Sequence, residues 1–274
     1  MLPRSDTPWW PSLFRGVLVL LLCALFGSAC APLRPEREPE RVPLSSAQLD
    51  ALLLRLEQSG QPFHSLQGMA RIQLLWHGEE KNLKQVFHLE WPDRFRAETL
   101  NPFGFGSPAL LMAADGRDLT VVLPGEGLVL RGAASAQNVQ RVTQLPLQID
   151  DLVNILLWRI QAIAAGGRSG SLGPTGDYRL ELYAVDGRWQ QLSFDRDMRL
   201  LEASWYQDGR LLLQVRYDQF SAEAVPFPQR IQINLPPQRS ELSLTFSDLE
   251  LNRPLAAKLF QLATPPGYQE RPFP

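Results

Sequence analysis

Residues 86–100 read VFHLEWPDRFRAETL, and both halves of this stretch alternate apolar with polar side chains. Phe87, Leu89 and Trp91 fall on one side of an extended chain, and Phe95 begins the same pattern in the second half. A period of two residues is typical of a strand that buries one face. The stretch therefore predicts two strands of an antiparallel sheet with one apolar face.

The same alternation recurs along the chain in short runs. Seven further runs predict strands, at residues 119–123, 178–184, 189–194, 200–206, 211–217, 231–235 and 242–246. Turn-forming pairs stand between many strands, namely His77-Gly78, Asp115-Gly116, Pro124-Gly125, Asp186-Gly187 and Asp208-Gly209. Because such pairs favour hairpins, we predict a mainly β fold of the α+β type, a meander of roughly ten antiparallel strands.

Three helices interrupt the predicted sheet. Residues 45–58 and 149–163 carry apolar side chains at helical spacing, and Pro254 suits the first turn of a short third helix. The apolar stripes are Leu49, Leu52, Leu53 and Leu56 in the first helix, Leu152, Ile155, Leu156, Ile160 and Ile163 in the second, and Leu255, Leu259 and Phe260 in the third. Helices beside a one-faced sheet favour a curved sheet with the helices over its concave side. The space between them is either packed solid or left as a cavity.

Residues 1–29 have the pattern of a secretory signal peptide. Arginines precede a short apolar run at 16–26, and small residues follow it up to Ala29. The run is shorter than the about 20 apolar residues that span a bilayer. Cys30 follows directly and is the expected site of lipid attachment, as in bacterial lipoproteins. The alternative is ordinary secretion with cleavage near Ala29 and a free thiol.

Residues 30–44 alternate proline with charge after Cys30 and predict a disordered tether. Residues 45–274, about 230 in number, suit a single β domain. Once the signal peptide is removed, Cys30 is the one remaining cysteine, so no intramolecular disulfide is expected. The formal net charge of −2 shows no basic bias, and we therefore do not expect nucleic acid as a partner.

Residue patterns for catalysis are nearly absent. His64, His77 and His88 are scattered and have no metal-ligand spacing. No phosphate-binding loop or nucleophile elbow is found. Asp150-Asp151 lies at a predicted helix start, where acids interact favourably with the helix dipole, so capping is the preferred interpretation. We predict a protein that is not an enzyme and holds no metal or cofactor.

The turn-forming stretch NPFGFG at 101–106 carries two large apolar side chains, Phe103 and Phe105. Proline and glycine place it outside regular strand pairing, where exposed phenylalanines are usually avoided. Either the two rings fold back into the core, or at least one projects into a lipid surface or an apolar partner.

Eight segments follow one another along the chain, namely LQGMARIQLLW, FHLEW, FRAETLNPFG, ALLMAADGRDLTVVL, LPLQIDDLVNILLW, LLEASWYQDGRLLLQVRYDQF, PFPQRIQINL and ELSLTFSDLEL. In these segments and their order, the chain resembles the LolA-like family of periplasmic lipoprotein-binding proteins, which includes the outer-membrane lipoprotein insertion factor LolB. The resemblance covers most of residues 45–253. The chain departs from the family in a longer glycine-rich connection at 166–176 and in an additional C-terminal tail. A sister protein with another lipid cargo is therefore the alternative to the insertion factor.

The resemblance implies an unclosed antiparallel half-barrel of about eleven strands with a helical lid over an apolar cavity. It implies that a periplasmic carrier hands over a lipoprotein, whose acyl chains enter the cavity before insertion into the outer membrane. Phe103 stands where the family has an exposed apolar residue that is needed for release. We expect a monomer, anchored at the periplasmic face of the outer membrane and in contact with its lipid.

We predict that eight side chains line or border the cavity, although each is equally compatible with plain core. They are Phe87, Leu89, Trp91, Phe95, Leu152, Ile155, Leu156 and Trp158. Two other functions stay open at this point. One is an accessory or scaffold lipoprotein of the envelope with the same fold, and the other is a binder of another lipid or hydrophobic ligand.

Overall fold

The computed structural model describes residues 40–101 and 108–274. Cys30, the predicted signal peptide and most of the tether, together with Phe103 and Phe105, lie outside the described residues. Residues Arg41–Pro274 form one compact unit, which starts ahead of the domain start predicted at 45. Because every described core side chain belongs to this unit, we expect it to fold on its own.

The described residues form a single sheet of fifteen strands. The strands are β1 Val42–Pro43, β2 Ser65–Trp76, β3 Glu79–Glu90, β4 Arg94–Thr99, β5 Leu110–Asp115, β6 Asp118–Leu123, β7 Leu128–Ala133, β8 Gly167–Leu172, β9 Tyr178–Tyr183, β10 Arg188–Phe194, β11 Leu200–Gln207, β12 Arg210–Phe220, β13 Pro228–Leu235, β14 Ser240–Leu251 and β15 Gln269–Pro272. Their order is β1-β8-β9-β10-β11-β12-β13-β14-β2-β3-β4-β5-β6-β7-β15. Neighbours are antiparallel except β7 and β15, which are parallel. The prediction of a mainly β, unclosed antiparallel sheet is confirmed.

The number of strands is larger than the sequence predicted. Three strands that carry little apolar alternation account for much of the difference: β1, β8 and β15 are VP, GRSGSL and QERP. Strand β8 lies within the stretch predicted to be a glycine-rich connection. Its backbone pairs with β9, and Gly170 leaves the space that Leu44 and Leu49 occupy. These segments are strands because their backbones pair with a neighbouring strand. Side-chain periodicity does not reveal such pairing.

The predicted hairpin turns are confirmed where the chain reverses between strands. His77 and Gly78 join β2 to β3 with φ of 49° and 87°, and Asp208 and Gly209 join β11 to β12 with φ of 50° and 77°. Two central residues with positive φ match the twist of a tight antiparallel hairpin. The loops therefore fix the register that brings apolar residues to one face.

The alternation in residues 86–100 is realised in β3 and β4. Phe87 lies opposite Ala97 and Leu89 lies opposite Phe95, and all four side chains are buried. Opposite residues of an antiparallel pair point to the same face of the sheet. This apolar face is the concave side, on which the helices lie.

Three α-helices occupy the described residues: α1 Ser46–Ser59, α2 Ala136–Thr143 and α3 Ile149–Leu156. Helix α1 was predicted, and Ser45 and Gln48 form a capping box at its start. At its end Gly60 has no room for a side chain, because the Arg159 side chain lies 2.4 Å from the position of a Cβ. Helix α2 was not predicted; it is short, and Val139 and Val142 are its two large apolar side chains.

Helix α3 ends at Leu156, not at residue 163 as predicted. Trp158 adopts a left-handed φ of 58°, and its indole N–H donates to the Leu200 carbonyl at 3.2 Å. Beyond it, the side chain of fully buried Gln190 accepts from the Ile163 N–H and donates to the Gln161 carbonyl, each at 3.0 Å. These tertiary hydrogen bonds hold the segment in a non-helical form despite its helical spacing.

The predicted third helix is a short 3-10 helix, Ala257–Phe260. Phe260 is buried, whereas Leu255 and Leu259 are half-buried. The tail that contains it runs along the outer face of the sheet, where Leu262 packs with Ala113, Val122 and Val129 in a second small core. The tail therefore covers the outer face of β5 to β7, and its end, β15, covers the edge of β7.

We expect Gln190→Leu to lower the free energy of unfolding by about 2 kcal/mol, because both hydrogen bonds to the 161–163 segment are lost. Urea denaturation followed by circular dichroism measures this change. Gln191→Leu, on the opposite face of the same strand, is the control and should change stability by less than about 0.5 kcal/mol. A Gln190→Leu protein as stable as the wild type would contradict the role given to Gln190.

Candidate functional site

An apolar cavity of about 260 Å³ lies between the concave face of the sheet and the helices α2 and α3. Strands β2 to β5, β13 and β14 form its wall on the sheet side. Its apolar lining residues are Ile72, Leu74, Leu83, Phe87, Phe95, Ala97, Leu110, Met112, Val142, Leu145, Leu152, Leu156, Ile233, Leu242 and Leu244. A lining of this composition suits a hydrocarbon ligand.

Strand register assembles the sheet side of this cavity. Ile72 of β2 lies opposite Leu83 of β3 on one side and opposite Leu244 of β14 on the other. Leu74 in turn lies opposite Leu242. Because paired residues share a face, the inward side chains of neighbouring strands lie next to each other. Together they form a continuous apolar surface.

The polar side chains of the cavity wall make hydrogen bonds within the protein. Gln85 donates to the Thr99 hydroxyl at 2.8 Å, and the Thr143 hydroxyl donates to the Val139 carbonyl at 2.9 Å. No charged side chain of the described residues lines the cavity. The cavity thus offers a ligand dispersion contacts and exclusion of water, and no charge to bind a polar head group.

Burial of the lining side chains varies along the strands. Phe87 and Phe95 are buried at the inner end, and their rings meet edge to face at 6.1 Å. Leu74, Leu83 and Leu110 are half-buried and lie nearer the end of the sheet that carries the β2–β3 hairpin. The mouth of the cavity therefore faces this end of the sheet.

Helix α3 is the central part of the lid. Leu152 and Leu156 point into the cavity from its inner side. The buried Tyr217 hydroxyl donates to the Ile155 carbonyl at 3.1 Å and ties the helix to β12. Burial raises the pKa of Tyr217 well above its usual value.

The structure separates the eight predicted cavity residues into two groups. Phe87, Phe95, Leu152 and Leu156 line the cavity. The other four lie elsewhere: Leu89 is fully buried in the core, Ile155 and Trp158 pack away from the cavity, and Trp91 is 45% exposed. Trp91 lies in the turn after β3, where the Arg159 guanidinium stands 4.7 Å from the centre of its ring.

Most of the lining residues were not singled out from the sequence. Ile233, Leu242 and Leu244 stand at inward positions of runs that were predicted as strands. Val142 and Leu145 come from α2 and the segment after it, where no helix was predicted. Strand alternation identifies the inward face, but which part of that face is left unfilled depends on where the lid lies.

The connection that carries NPFGFG begins and ends beside the cavity. Thr99 and Leu110 are the paired residues at its two ends, and both line the cavity. The Ala109 N–H donates to the Thr99 carbonyl at 2.8 Å, so the pairing of the strands continues up to the connection. Phe103 and Phe105 themselves lie outside the described residues, and their position stays a prediction.

The acid pair at the start of α3 has a structural role. The Asp151 carboxylate accepts from the Gln148 N–H at 3.0 Å, which supports the capping interpretation. Burial, and then the charge of Asp150, raise the pKa of Asp151. Among residues 40–101 and 108–274, no three His, Cys, Asp or Glu side chains are grouped as a metal site would require. No helix in this same part of the chain is long and apolar enough to cross a membrane.

No family model matches the chain, and no curated protein matches its sequence. Solved structures do share its fold. A LolA superfamily protein from Nitrosomonas europaea is 21% identical, with a TM-score of 0.50 over 78% of this chain and 97% of that one. A DUF1329 family protein from Desulfovibrio piger is 17% identical, with a TM-score of 0.52 over 78% of this chain and 96% of that one. The chain thus shares its fold, an unclosed antiparallel sheet with helices over its apolar face, with these two solved structures.

Proposed function

We propose that the chain is a lipid-anchored envelope lipoprotein that receives the acyl chains of another lipoprotein in its cavity and inserts that lipoprotein into the outer membrane. The observation that carries the proposal is the lidded cavity, whose lining is mostly apolar and free of charged side chains among the described residues. In this proposal the donor is a periplasmic carrier, and the chain itself is neither an enzyme nor a holder of cofactors.

The energetics of acyl chains make a covered cavity necessary for such a transfer. Each methylene exposed to water costs about 0.8 kcal/mol, so a bare lipid anchor does not cross an aqueous compartment at a useful rate. A cavity of about 260 Å³ covers part of such an anchor, whereas a bilayer covers all of it. Release into the bilayer is therefore downhill and requires no nucleotide.

The half-barrel shared with a LolA superfamily protein supports this proposal, as does the order of motifs along the chain. Insertion additionally requires a contact with the target membrane. We assign this contact to Phe103, and to Phe105 beside it, because the connection that carries them joins two strand ends at the cavity. An apolar side chain there is suited to enter the interface of a bilayer near the mouth of the cavity.

Anchoring through Cys30 at the periplasmic face of the outer membrane completes the proposal. Arg41, the first residue of the compact unit, bonds to Asp177 at 2.7 Å and to the Ser171 hydroxyl at 2.9 Å. These bonds hold the start of the unit beside the end of β8. The proposed tether therefore joins the unit at the end of β8 that leads into β9.

We expect Leu83→Glu to weaken the binding of a fluorescent palmitic acid analogue by tenfold or more, since it places a charge in the cavity. Fluorescence titration of the unit Arg41–Pro274 measures the dissociation constant. Asn82→Glu adds the same charge at the neighbouring, exposed position and should bind the analogue as the wild type does. Equal binding by both variants would show that the analogue does not enter the cavity.

We expect Phe103→Glu to accept a lipoprotein from a loaded carrier but to retain it in the presence of liposomes. The physical reason is that a carboxylate at the membrane contact opposes entry into the bilayer interface. Phe103→Leu keeps the apolar character and should deliver the lipoprotein as the wild type does. The transfer is followed by flotation of the liposomes and immunodetection of the lipoprotein.

The two negative outcomes of this assay differ in meaning. Delivery by Phe103→Glu at the wild-type rate would contradict the assignment of the membrane contact. Failure of the wild type to take up any lipoprotein would contradict the transfer function and leave a scaffold, or a binder of another hydrophobic ligand, as the function of the half-barrel.

A further inference from the structure

A polar groove of about 450 Å³ lies on the outer face of the sheet, across β12, β13, β14, β2 and β3. Ile233 points to the cavity on the concave side, so its neighbours Gln232 and Asn234 point outward into this groove. We call it the outer groove. Its amide and hydroxyl side chains are Gln73, Asn82, Gln214, Gln232, Asn234 and Ser243. The outer groove thus offers a ligand many hydrogen-bonding groups, which the cavity does not.

Strand register places four of these groups in one row. Gln232 of β13 lies opposite Ser243 of β14, and Ser243 in turn lies opposite Gln73 of β2. Gln73 lies opposite Asn82 of β3. Paired residues point to the same face, and neighbouring strands are about 4.8 Å apart. The row is therefore a line of polar side chains across four strands, with one side chain from each strand.

Four amides of the outer groove are available to a ligand. Within the part of the chain that the structure describes, the side chains that make no hydrogen bond include those of Gln73, Asn82, Gln232 and Asn234. Each amide has two donor hydrogens and one acceptor oxygen. Donors and acceptors that stand side by side in this way match a ligand that carries many hydroxyl groups.

An aromatic ladder lies beside the outer groove, on the outer face of β9 to β11. Trp189 of β10 lies opposite Tyr183 of β9 and opposite Tyr206 of β11. The rings of Trp189 and Tyr206 are stacked, with centroids 3.8 Å apart and planes at 6°. The next outward residue of β11, Ser204, accepts a hydrogen bond from Gln214 of the groove at 3.3 Å. Aromatic rings therefore stand one outward position away from the amides of the groove.

The charges of the outer groove do not favour an ionic ligand. Among the described residues its charged lining side chains are Arg216, Arg230, Lys81, Glu80 and Glu241. One of the cations, Arg216, is already paired with Glu202 at 2.6 Å. A polyanion such as nucleic acid is held by a large excess of cations, which this groove does not have. A hydrocarbon chain is disfavoured as well, because it would displace water from the polar side chains without replacing their hydrogen bonds.

We propose that the outer groove binds a neutral glycan, a chain of β-1,4-linked hexoses. The hydroxyl groups of such a chain donate to and accept from the row of amides and from Ser243. The C–H faces of a hexose are apolar, and they pack against aromatic rings such as Tyr206. This site goes beyond the proposed function, since it lies on the opposite face of the sheet from the cavity and its occupation requires no acyl chain.

The spacing of the row supports a β-1,4-linked chain in particular. Such a chain is extended, and each hexose advances it by roughly the distance between neighbouring strands, about 4.8 Å. A chain that lies across the strands therefore meets one side chain of the row at each hexose. Four hexoses span the row from Gln232 to Asn82.

Isothermal titration calorimetry of the unit Arg41–Pro274 with chitotetraose, and separately with cellotetraose, tests the site. We expect a tetramer to bind, and we expect Gln73→Ala to weaken its binding about fivefold, because one hydrogen bond to the ligand is lost. Gln67→Ala removes the same amide from the same face of β2 but outside the outer groove, and it should bind as the wild type does. Dextran sulfate, a charged chain, should not compete.

Failure of both tetramers to bind the wild type would overturn the inference. Equal affinities of Gln73→Ala and Gln67→Ala would also overturn it, and competition by dextran sulfate would contradict a site for neutral chains. None of these results bears on the proposed function, because the palmitic acid analogue reports on the cavity. If thermal melting shows that Gln73→Ala is unfolded, Asn82→Ala, at the opposite position of β3, replaces it with the same expected loss.

Discussion

The structure depends on one constraint: an unclosed sheet with a single apolar face has to cover that face with something other than itself. A closed barrel would fill its interior from all sides, whereas here β1 and β15 end the sheet without meeting. Three short helices and a non-helical segment provide the cover. Their apolar side chains are too few to fill the concave space, and the unfilled part beside α3 is the cavity.

Helix α3 has the central position in this arrangement because its two faces contact two parts of the same concave surface. The Tyr217 hydroxyl donates to the Ile155 carbonyl and so holds the helix on β12, and the helix ends where Trp158 turns into the core. The C-terminal tail covers part of the outer face of the sheet. Its Leu262 packs against β5 to β7, and its strand β15 pairs with β7. The helices therefore cover the concave face, the tail covers part of the outer face, and β15 covers the edge of β7.

Residues 86–100 illustrate how far sequence alone predicts this fold. Their alternation identified both strands and the buried face, and Gly78 and Gly209 identified the hairpins, since these features are local. The early end of α3 was not predictable, because it depends on hydrogen bonds from Gln190 on a distant strand. Strand β8 and helix α2 were missed for the same kind of reason, as neighbours rather than their own patterns stabilise them.

The cavity residues were harder to predict from the sequence than the strands, because they too depend on distant parts of the chain. Phe87 and Leu89 stand on one face of one strand and have the same periodicity, yet Phe87 lines the cavity and Leu89 lies in packed core. The position of the lid over the sheet makes the difference, and no local pattern encodes it. Trp91 continues the alternation but falls in the turn after β3 and is largely exposed.

The proposed function depends on the uptake of hydrocarbon chains by the cavity beside α3. Photo-crosslinking with a fatty acid that carries a diazirine at its methyl end, followed by mass spectrometry of the labelled peptides, tests this uptake. We expect labels on inward residues of β2 to β5 and on α3, such as Phe87, Met112 and Leu156, and we expect these labels to disappear when unlabelled palmitate is added in excess. Labels confined to the outer face of the sheet, or labels that resist competition, would contradict it.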